Sequence, residues 1–233
     1  MAQRAGDELN PCIDGPCACL LDLTVAMMVK VKICGITNAG DALFAARAGA
    51  DALGFNFVKG TLRYIPPEKV KPIVLDLPPF VATVGVFANQ DPSDVREIVE
   101  SCGLDYAQLH GREPPRTCDR LKGIKLVKAF RVRTEKDLDE LGHYEVEAYL
   151  LDAFVRGVLG GTGESFDWRI ARRVAGTRKV ILAGGLTPEN VVEAIEAARP
   201  YAVDVASGVE EEPGIKSKQL VEDFIRIAKS VNL

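Results

Sequence analysis

Residues 179–208 read KVILAGGLTPENVVEAIEAARPYAVDVASG, and they contain a strand, a helix and a second strand. Two short apolar runs, KVILAG and AVDVAS, flank a longer amphipathic segment, which is the pattern of parallel strands joined by a helix. Thr187 followed by Pro188 is typical of a helix start, because an oxygen-bearing N-cap stands beside a proline in the first helical position. The stretch therefore predicts one βαβ unit.

The same alternation continues through the chain from residue 29 onward. Asp91 with Pro92, Thr134 with Asp137, and Thr37 ahead of an alanine-rich run indicate further helix starts. The apolar runs predict eight strands, at residues 29–33, 52–57, 81–87, 106–110, 125–130, 148–152, 179–184 and 202–207.

Eight such units require a parallel sheet with right-handed crossovers, and closing that sheet removes its exposed edges. We therefore predict an α/β fold, a single (β/α)8 TIM barrel over residues 29–233. An open doubly wound sheet is the alternative, but it normally carries a G-x-G-x-x-G turn after its first strand. The first turn here reads CGIT, which favours the barrel.

The composition and net charge limit the classes of molecule that this chain is expected to bind. The chain has 233 residues, of which 47% are hydrophobic and 27% charged, as in ordinary soluble globular proteins. The net charge of -4 indicates neither nucleic acid nor an anionic membrane as partner. The apolar run at residues 20–28 is interrupted by Asp22 and is too short to span a membrane. A small molecule is the expected partner.

Residues 1–28 differ from the rest, since they contain turn formers and show no apolar period. We interpret this N-terminal extension as a disordered tail, or as the result of a start codon assigned ahead of Met28. Three of the six cysteines lie in it, Cys12, Cys17 and Cys19, in a C-x4-C-x-C spacing.

The cysteines indicate neither a metal nor a disulfide framework. A closed zinc site needs four ligands, and the two histidines, His110 and His143, are far from the N-terminal cysteines in sequence. Six scattered cysteines in a chain of this length do not form the disulfide framework of a small secreted protein. We therefore expect no metal site and a reducing, cytoplasmic location.

In a (β/α)8 barrel the site lies at the C-terminal ends of the strands, so the residues that follow each apolar run are the candidates. In chain order these are Cys34, the loop through Arg63, Asn89, His110, Asp152, Gly184 with Gly185, and Ser207 with Gly208.

Phosphate binding is the first function that this set suggests. Gly184 and Gly185 follow the seventh strand, and Ser207 and Gly208 follow the eighth, so backbone N–H groups there can turn toward an anion. The two loops adjoin in a closed barrel, where they form a recurrent phosphate pocket. Plain tight turns are the alternative interpretation.

Cys34 ends the first strand and shares its face with Lys32, two residues earlier. A nearby ammonium favours the thiolate, so Cys34 is a candidate nucleophile or proton-abstracting base. A small buried hydrophobe is the alternative for a lone cysteine, and it is the interpretation that we give to Cys102 and Cys118.

Asp152 follows three apolar residues, where a carboxylate is costly without a partner or a task. It is an acid/base candidate, and a strand-end residue that caps the next loop is the alternative. The glycine-rich stretch after it, GVLGGTGESFDW at residues 157–168, is either a substrate-covering element or an ordinary surface loop.

Four further strand or loop residues are polar. Arg63 offers a planar guanidinium that suits a carboxylate, although most loop arginines are only solvated. His110 is interpreted as a polar residue that lines the barrel mouth. Asp204 and Gln108 point by parity into the barrel, as structural hydrogen-bonding residues.

Seven motifs together resemble the phosphoribosylanthranilate isomerase family of tryptophan biosynthesis. They are KICGIT at 32–37, LRYI at 62–65, QLHG at 108–111, LLD at 150–152, GGTGESFDW at 160–168, LAGGLTPENV at 182–191 and DVASGVEEEPGIK at 204–216. The similarity covers nearly all of the chain from Met28 onward, and residues 1–28 fall outside it.

The resemblance implies a cofactor-free Amadori rearrangement of N-(5-phosphoribosyl)anthranilate to 1-(2-carboxyphenylamino)-1-deoxyribulose 5-phosphate. It implies that Asp152 is the general acid that protonates the ribose ring oxygen and that Cys34 is the base that removes the C2 proton. It places Arg63 on the anthranilate carboxylate. The other implied substrate contacts are His110, Gly161 and Asp204, with the phosphate on Gly184, Gly185, Ser207 and Gly208.

Two positions depart from the family pattern. Ala206 stands where a small polar residue is common, which removes one side-chain donor to the phosphate. Ser217 stands where aspartate is common, and a serine there can cap the last helix. The family occurs as monomers and homodimers, and both stay open for this chain.

Three rival functions are alternatives to this one. The isomerase of histidine biosynthesis is expected to use two aspartates, whereas the first strand here ends in Cys34. Indole-3-glycerol phosphate synthase would rely on a lysine and a glutamate and carry an extra N-terminal helical segment. A catalytically silent phosphate-binding scaffold is disfavoured because both Cys34 and Asp152 are present.

Overall fold

The fold is a closed barrel of eight parallel strands in chain order, as the sequence predicts. The computed structural model describes residues 28–152 and 167–232. The strands are β1 Lys30–Cys34, β2 Ala52–Asn56, β3 Ala82–Phe87, β4 Tyr106–Leu109, β5 Lys125–Arg131, β6 Ala148–Asp152, β7 Val180–Ala183 and β8 Ala202–Val205. β8 pairs with β1 in parallel and closes the barrel.

Helices alternate with the strands around the outside. They are α1 Ala39–Arg47, α2 Pro67–Asp76, α3 Pro92–Cys102, α4 Pro115–Arg120, α5 Arg169–Ala175, α6 Val191–Ala198 and α7 Lys218–Ser230. The fifth unit carries a 3-10 helix, Glu135–His143, where the others carry an α-helix. A short hairpin of β9 Glu210–Glu212 and β10 Ile215–Lys216 follows β8.

Two of the predicted helix starts are confirmed. The Asp91 carboxylate accepts from the Ser93 N–H at 2.9 Å, with Pro92 in the first turn of α3. The Asp137 carboxylate accepts from the N–H groups of Arg133 and Thr134 at 2.8 Å, which completes the start of the 3-10 helix.

Two of the predicted starts are wrong by one to three residues. Asn38, not Thr37, caps α1, because its side-chain oxygen accepts from Asp41 N–H at 2.8 Å while Thr37 donates to the Gly214 carbonyl. α6 begins only at Val191, after a turn in which the Asn190 side chain accepts from Thr187 N–H at 2.8 Å. The Asn190 side chain itself makes no capping hydrogen bond to α6.

Two apolar layers hold the fold together. The larger layer lies between the barrel and the helices and includes Leu53, Phe55 and Phe224, all fully buried. The smaller layer fills the barrel itself and consists of Val127, Ala129, Ala148, Leu150, Ile181, Ala183 and Ala202. Burial of this surface is the main stabilising term of such a domain.

Three polar side chains share the barrel interior with that smaller layer. Lys32, Gln108 and Asp204 are 3%, 1% and 7% exposed. Lys32 and Asp204 are register partners on β1 and β8, so their side chains meet directly. The expectation that Gln108 and Asp204 point inward and form hydrogen bonds is confirmed, and these groups lie beneath the C-terminal mouth of the barrel.

The first and last described residues, Met28 and Asn232, form an isolated antiparallel bridge. Among the described residues, no helix is long and apolar enough to cross a membrane.

Candidate active site

Cys34 lies at the C-terminal end of β1, partly accessible at the barrel mouth. Gly54 on β2 is its register partner. A Cβ atom on Gly54 would lie 2.7 Å from the Cys34 sulfur and 3.2 Å from Cε of Lys32, so only glycine leaves room for both side chains. Gly54 was not among the residues predicted from the sequence.

The pKa of the Cys34 thiol lies above its ordinary value. Burial is the largest cause, and the negative charge of Asp204 adds to it, while Lys32 and Lys216 oppose both. The predicted effect of Lys32 is present, since the lysine acts to lower the pKa of the thiol, but burial and the Asp204 charge outweigh it.

Lys32 is held in a buried network across the barrel. Its ammonium donates to Asp204 at 3.0 Å and to the side-chain oxygen of Gln108 at 2.9 Å. Burial acts to lower the pKa of Lys32, but the Asp204 and Cys34 charges outweigh it, so the lysine stays protonated. Asp204 is thus engaged with a side chain of the protein itself.

Asp152 and His110 face each other at the same mouth. His110 follows β4 and Asp152 ends β6, and the histidine Nε2 lies 3.5 Å from the aspartate Oδ2. The other ring nitrogen, Nδ1, lies 2.9 Å from Nε2 of Gln108. A cavity of about 700 Å³ opens beside His110.

Arg63 reaches the site from the loop after β2 and meets a carboxylate of the chain. It donates from Nε and Nη2 to the two oxygens of Glu210, at 2.8 and 2.6 Å. Lys216 donates to the same carboxylate at 2.8 Å. Glu210 uses two of the five N–H donors of the guanidinium. The substrate carboxylate that Arg63 is predicted to bind would join this network.

Glu210 and Lys216 are functional candidates that were not predicted from the sequence. Their side chains are 5% and 2% exposed, and they stand directly above β8, on the hairpin of β9 and β10. Burial acts to raise the pKa of Glu210, but Arg63 and Lys216 hold it below its ordinary value. Their position in the sequence could have revealed them, because both lie inside the last motif, DVASGVEEEPGIK.

A second buried pair, Lys128 with Glu113, supports the loop that carries His110. The ammonium and the carboxylate lie 2.9 Å apart, and their side chains are 2% and 4% exposed. The other oxygen of Glu113 accepts from the N–H groups of Asn89 and Gly111, at 2.7 and 3.0 Å. A lysine within an apolar strand is the signal that could have revealed this pair, since such a charge requires a partner.

The two loops predicted to hold phosphate are in direct contact. Gly184 and Gly185 have φ values of 97° and 66°, in the left-handed region that favours glycine. A Cβ on Gly208 would lie 1.9 Å from the Leu186 carbonyl oxygen, so the two loops pack backbone against backbone. Ser207 and Gly208 begin a short 3-10 helix, Ser207–Val209.

The remaining predicted site residues have different outcomes. Gly161 lies outside the described residues. The Ala206 carbonyl accepts from Lys216 at 3.0 Å. Ser217 stands at the N-cap of α7, but its side chain makes no capping hydrogen bond there.

Ionisable side chains gather at the C-terminal mouth of the closed barrel, where (β/α)8-barrel enzymes carry their active sites. The fold and the site therefore define a (β/α)8-barrel enzyme. Residues 31–227 match the family described as N-(5'phosphoribosyl)anthranilate (PRA) isomerase. The chain is 51% identical over 202 residues to N-(5'-phosphoribosyl)anthranilate isomerase of Geobacter sulfurreducens, which covers 87% of this chain and 99% of the relative.

Solved structures agree with this match. A phosphoribosyl anthranilate isomerase in complex with reduced 1-(o-carboxyphenylamino)-1-deoxyribulose 5-phosphate is 42% identical, with a TM-score of 0.79, covering 88% of this chain and 100% of that one. Monomers of the dimeric isomerase from Thermotoga maritima are 41% identical, with a TM-score of 0.78 and the same coverage. The chain belongs to the phosphoribosylanthranilate isomerase family, whose reaction is a step of tryptophan biosynthesis.

Proposed function

We propose that Cys34 and Asp152 carry out the proton transfers of an Amadori rearrangement of N-(5-phosphoribosyl)anthranilate, with Cys34 as base and Asp152 as acid. The observation that carries this proposal is their placement. They end β1 and β6, strands separated by β7 and β8 around the closed barrel. A substrate bound at the mouth would therefore meet the acid and the base from different sides.

The chemistry balances with these two groups and solvent. Asp152 transfers its proton to the ribose ring oxygen, the bond between C1 and that oxygen breaks, and the nitrogen lone pair forms a C=N bond. The Cys34 thiol gives its proton to solvent, and the thiolate then removes the proton from C2. The electron pair of that C–H bond forms a C1=C2 bond while the C=N electrons return to nitrogen. The resulting enolamine loses the proton of its C2 hydroxyl group and gains a proton at C1, which gives the ketone.

Binding contacts complete the proposal. Arg63 takes the anthranilate carboxylate on donors that Glu210 leaves, and the backbone of the loops after β7 and β8 takes the phosphate. The positive φ values of Gly184 and Gly185 and the close packing of Gly208 support an anion cradle there. His110, Gly161 and Asp204 are the remaining proposed substrate contacts.

Two substitutions test the assigned roles. We expect Cys34→Ser and Asp152→Asn each to lower kcat by about 10²- to 10⁴-fold, because each removes one proton-transfer group, while affinity for the reduced product analogue is retained. The substrate is generated in situ from anthranilate and phosphoribosyl pyrophosphate and its isomerisation followed by fluorescence. Cys118→Ser, at a buried cysteine of α4, is the matched control and should retain full activity.

The assay also separates the rival functions. Near-normal turnover by either variant would contradict its assigned role. Folded wild-type protein without turnover would favour a related aminoribose phosphate as substrate, or the silent phosphate-binding scaffold.

The domain assignment and the location are proposals of the same kind. Residues 29–233 are proposed as the catalytic domain, which is supported by the family match over 31–227. Residues 1–28 are proposed to lie outside it. A cytoplasmic location is proposed because a cysteine base requires a compartment that keeps thiols reduced.

A homodimer is proposed over a monomer, through the end of the barrel opposite the site. Phe80 precedes β3 there, fully exposed and with a φ of 71°. Beside it opens a cavity of about 310 Å³, lined in part by Tyr106, Ile181 and Ala202. Most of the cavity surface is apolar, although Lys30, Asp51, Glu147 and Lys179 also line it. An exposed aromatic next to such a cavity is self-complementary under two-fold symmetry, since each Phe80 can enter the cavity of the second copy.

A further inference from the structure

Gln108 occupies a position in the barrel that the proposed reaction does not yet use. It lies on β4 at 1% exposure, between the Lys32 ammonium and the His110 ring. Its Oε1 atom lies 2.9 Å from Lys32 Nζ, and its Nε2 atom lies 2.9 Å from His110 Nδ1. One amide therefore joins the buried lysine to the histidine that faces Asp152.

The direction of that amide follows from hydrogen-bond chemistry. An ammonium only donates, so the Gln108 atom that faces Lys32 must be the oxygen, and the NH2 group must face His110. Lys32 cannot move away, because Asp204 holds it at 3.0 Å and both side chains are at most 7% exposed. Reversing the amide would direct its NH2 group toward the Lys32 ammonium, so that two donors would face each other.

The direction of the amide in turn selects the tautomer of His110. Because the NH2 group of Gln108 donates to Nδ1, that nitrogen must carry a lone pair, and the proton of a neutral ring lies on Nε2. Nε2 is the atom that lies 3.5 Å from Oδ2 of Asp152. In the opposite tautomer, the Nδ1–H group would face the NH2 group of Gln108, and the lone pair of Nε2 would face the Asp152 carboxylate.

The geometry points to Gln108 as a positioning residue that, anchored by Lys32, holds His110 in the Nε2–H tautomer and so presents an N–H donor to Asp152. This inference rests on the proposed role of Asp152 as the acid. When Asp152 gives its proton to the ribose ring oxygen it becomes a carboxylate, and the Nε2–H group stabilises that new charge. His110 keeps its own proton throughout.

The test reads the tautomer directly. The chain has two histidines, His110 and His143, so nitrogen–proton correlation spectra of the 15N-labelled full chain at pH 8.5 show two rings, which a His143→Gln variant assigns. We expect the proton of His110 on Nε2. Gln108→Glu, nearly identical in shape, offers only acceptors and should move the proton to Nδ1. Gln219→Glu makes the same change on the outer helix α7 and should leave the spectrum unchanged.

Activity supplies the second measurement. Gln108→Glu is expected to lower kcat by about 10- to 100-fold with little change in KM, as for other groups that orient a reacting residue indirectly. A wild-type proton on Nδ1 overturns the inference, whether or not the variant folds. So does a shifted tautomer with unchanged kcat. Wild-type protein that shows the Nε2–H tautomer but no isomerase activity would contradict the proposed function and leave the tautomer assignment intact.

Discussion

At the level of single side chains, Cys34 combines a proposed role as base with a pKa above the ordinary thiol value. Burial and the Asp204 charge raise its pKa, and the two lysines nearby only reduce that rise. A base with a high pKa is scarce as thiolate at neutral pH, but each thiolate is a stronger proton acceptor. When the thiolate forms, the positive charges of Lys32 and Lys216 stabilise it.

This state of Cys34 predicts slow alkylation at neutral pH. Because only the thiolate reacts, the rate of iodoacetamide labelling at Cys34 should rise about tenfold per pH unit from 7 to 9 and keep rising beyond the ordinary thiol value near 9.0. Labelling is measured by peptide mass spectrometry, with N-acetylcysteine as the free-thiol reference. A labelling rate that levels off below pH 8.5 would contradict the raised pKa.

The sequence predicted which side chains line the mouth better than how they pair. Cys34, His110 and Asp152 were located because each ends an apolar run, and Gln108 because the alternation of a strand assigns its face. The pairing of Arg63 with Glu210 was missed because it joins positions 147 residues apart, and no local pattern encodes such a contact.

At the level of loops and strands, the Lys128–Glu113 pair connects three strand ends. Lys128 on β5 also donates to the Gly111 carbonyl after β4, at 2.9 Å, and Glu113 accepts from the Asn89 N–H after β3. Asn89 has a φ of 56° and accepts from the Arg112 N–H through its side chain. The loop that holds His110 is therefore fixed from both neighbouring strands.

Removing one partner of this pair should be costly. Lys128→Met leaves the Glu113 carboxylate buried without its cation, so the free energy of unfolding in urea is expected to fall by about 3–5 kcal/mol. Glu113→Gln in the same chain keeps an acceptor for the two backbone N–H groups and should restore part of the loss. Arg169→Met, at the exposed pair with Asp167, should change stability by less than about 1 kcal/mol.

The pH dependence of this effect has a defined sign. Burial acts to raise the pKa of Glu113, but the Asn89 N–H and Lys128 hold it below its ordinary value of 4.5. The stabilisation is therefore complete above pH 4.5 and is lost as pH falls through the lower folded-state pKa. Lys128→Met and wild type should accordingly converge in acid, and a stability difference independent of pH would contradict the assignment.

Strand order was predictable for a reason that does not extend to the caps. Each strand shows as a short run rich in apolar residues, and the closed barrel follows from counting eight of them. The cap of a helix depends on which of several neighbouring polar side chains reaches the free N–H groups. The Asn38 side chain does so at α1 in place of Thr37, whereas the Asn190 side chain accepts from the Thr187 N–H in the turn before α6.

For the molecule as a whole, the two ends of the barrel differ in character. The C-terminal mouth carries the ionisable network, whereas the opposite end carries Phe80 and an apolar cavity. An association through the second end leaves the first open to substrate. The proposed active site and the proposed dimer contact are therefore separated by the length of the strands.

This separation predicts that Phe80→Asp converts a dimer to a monomer without loss of catalysis. A carboxylate cannot enter the apolar cavity of a second copy without a cost in desolvation, and isologous contact applies that cost twice. Sedimentation velocity should show the mass of two chains for the wild type and of one for the variant, with kcat/KM unchanged within about twofold, because the site lies at the other end. Leu75→Asp, at an exposed leucine of α2 outside the cavity lining, should remain dimeric. A wild-type chain that sediments as a monomer, or a Phe80→Asp variant that remains dimeric, would show that this end is not the interface.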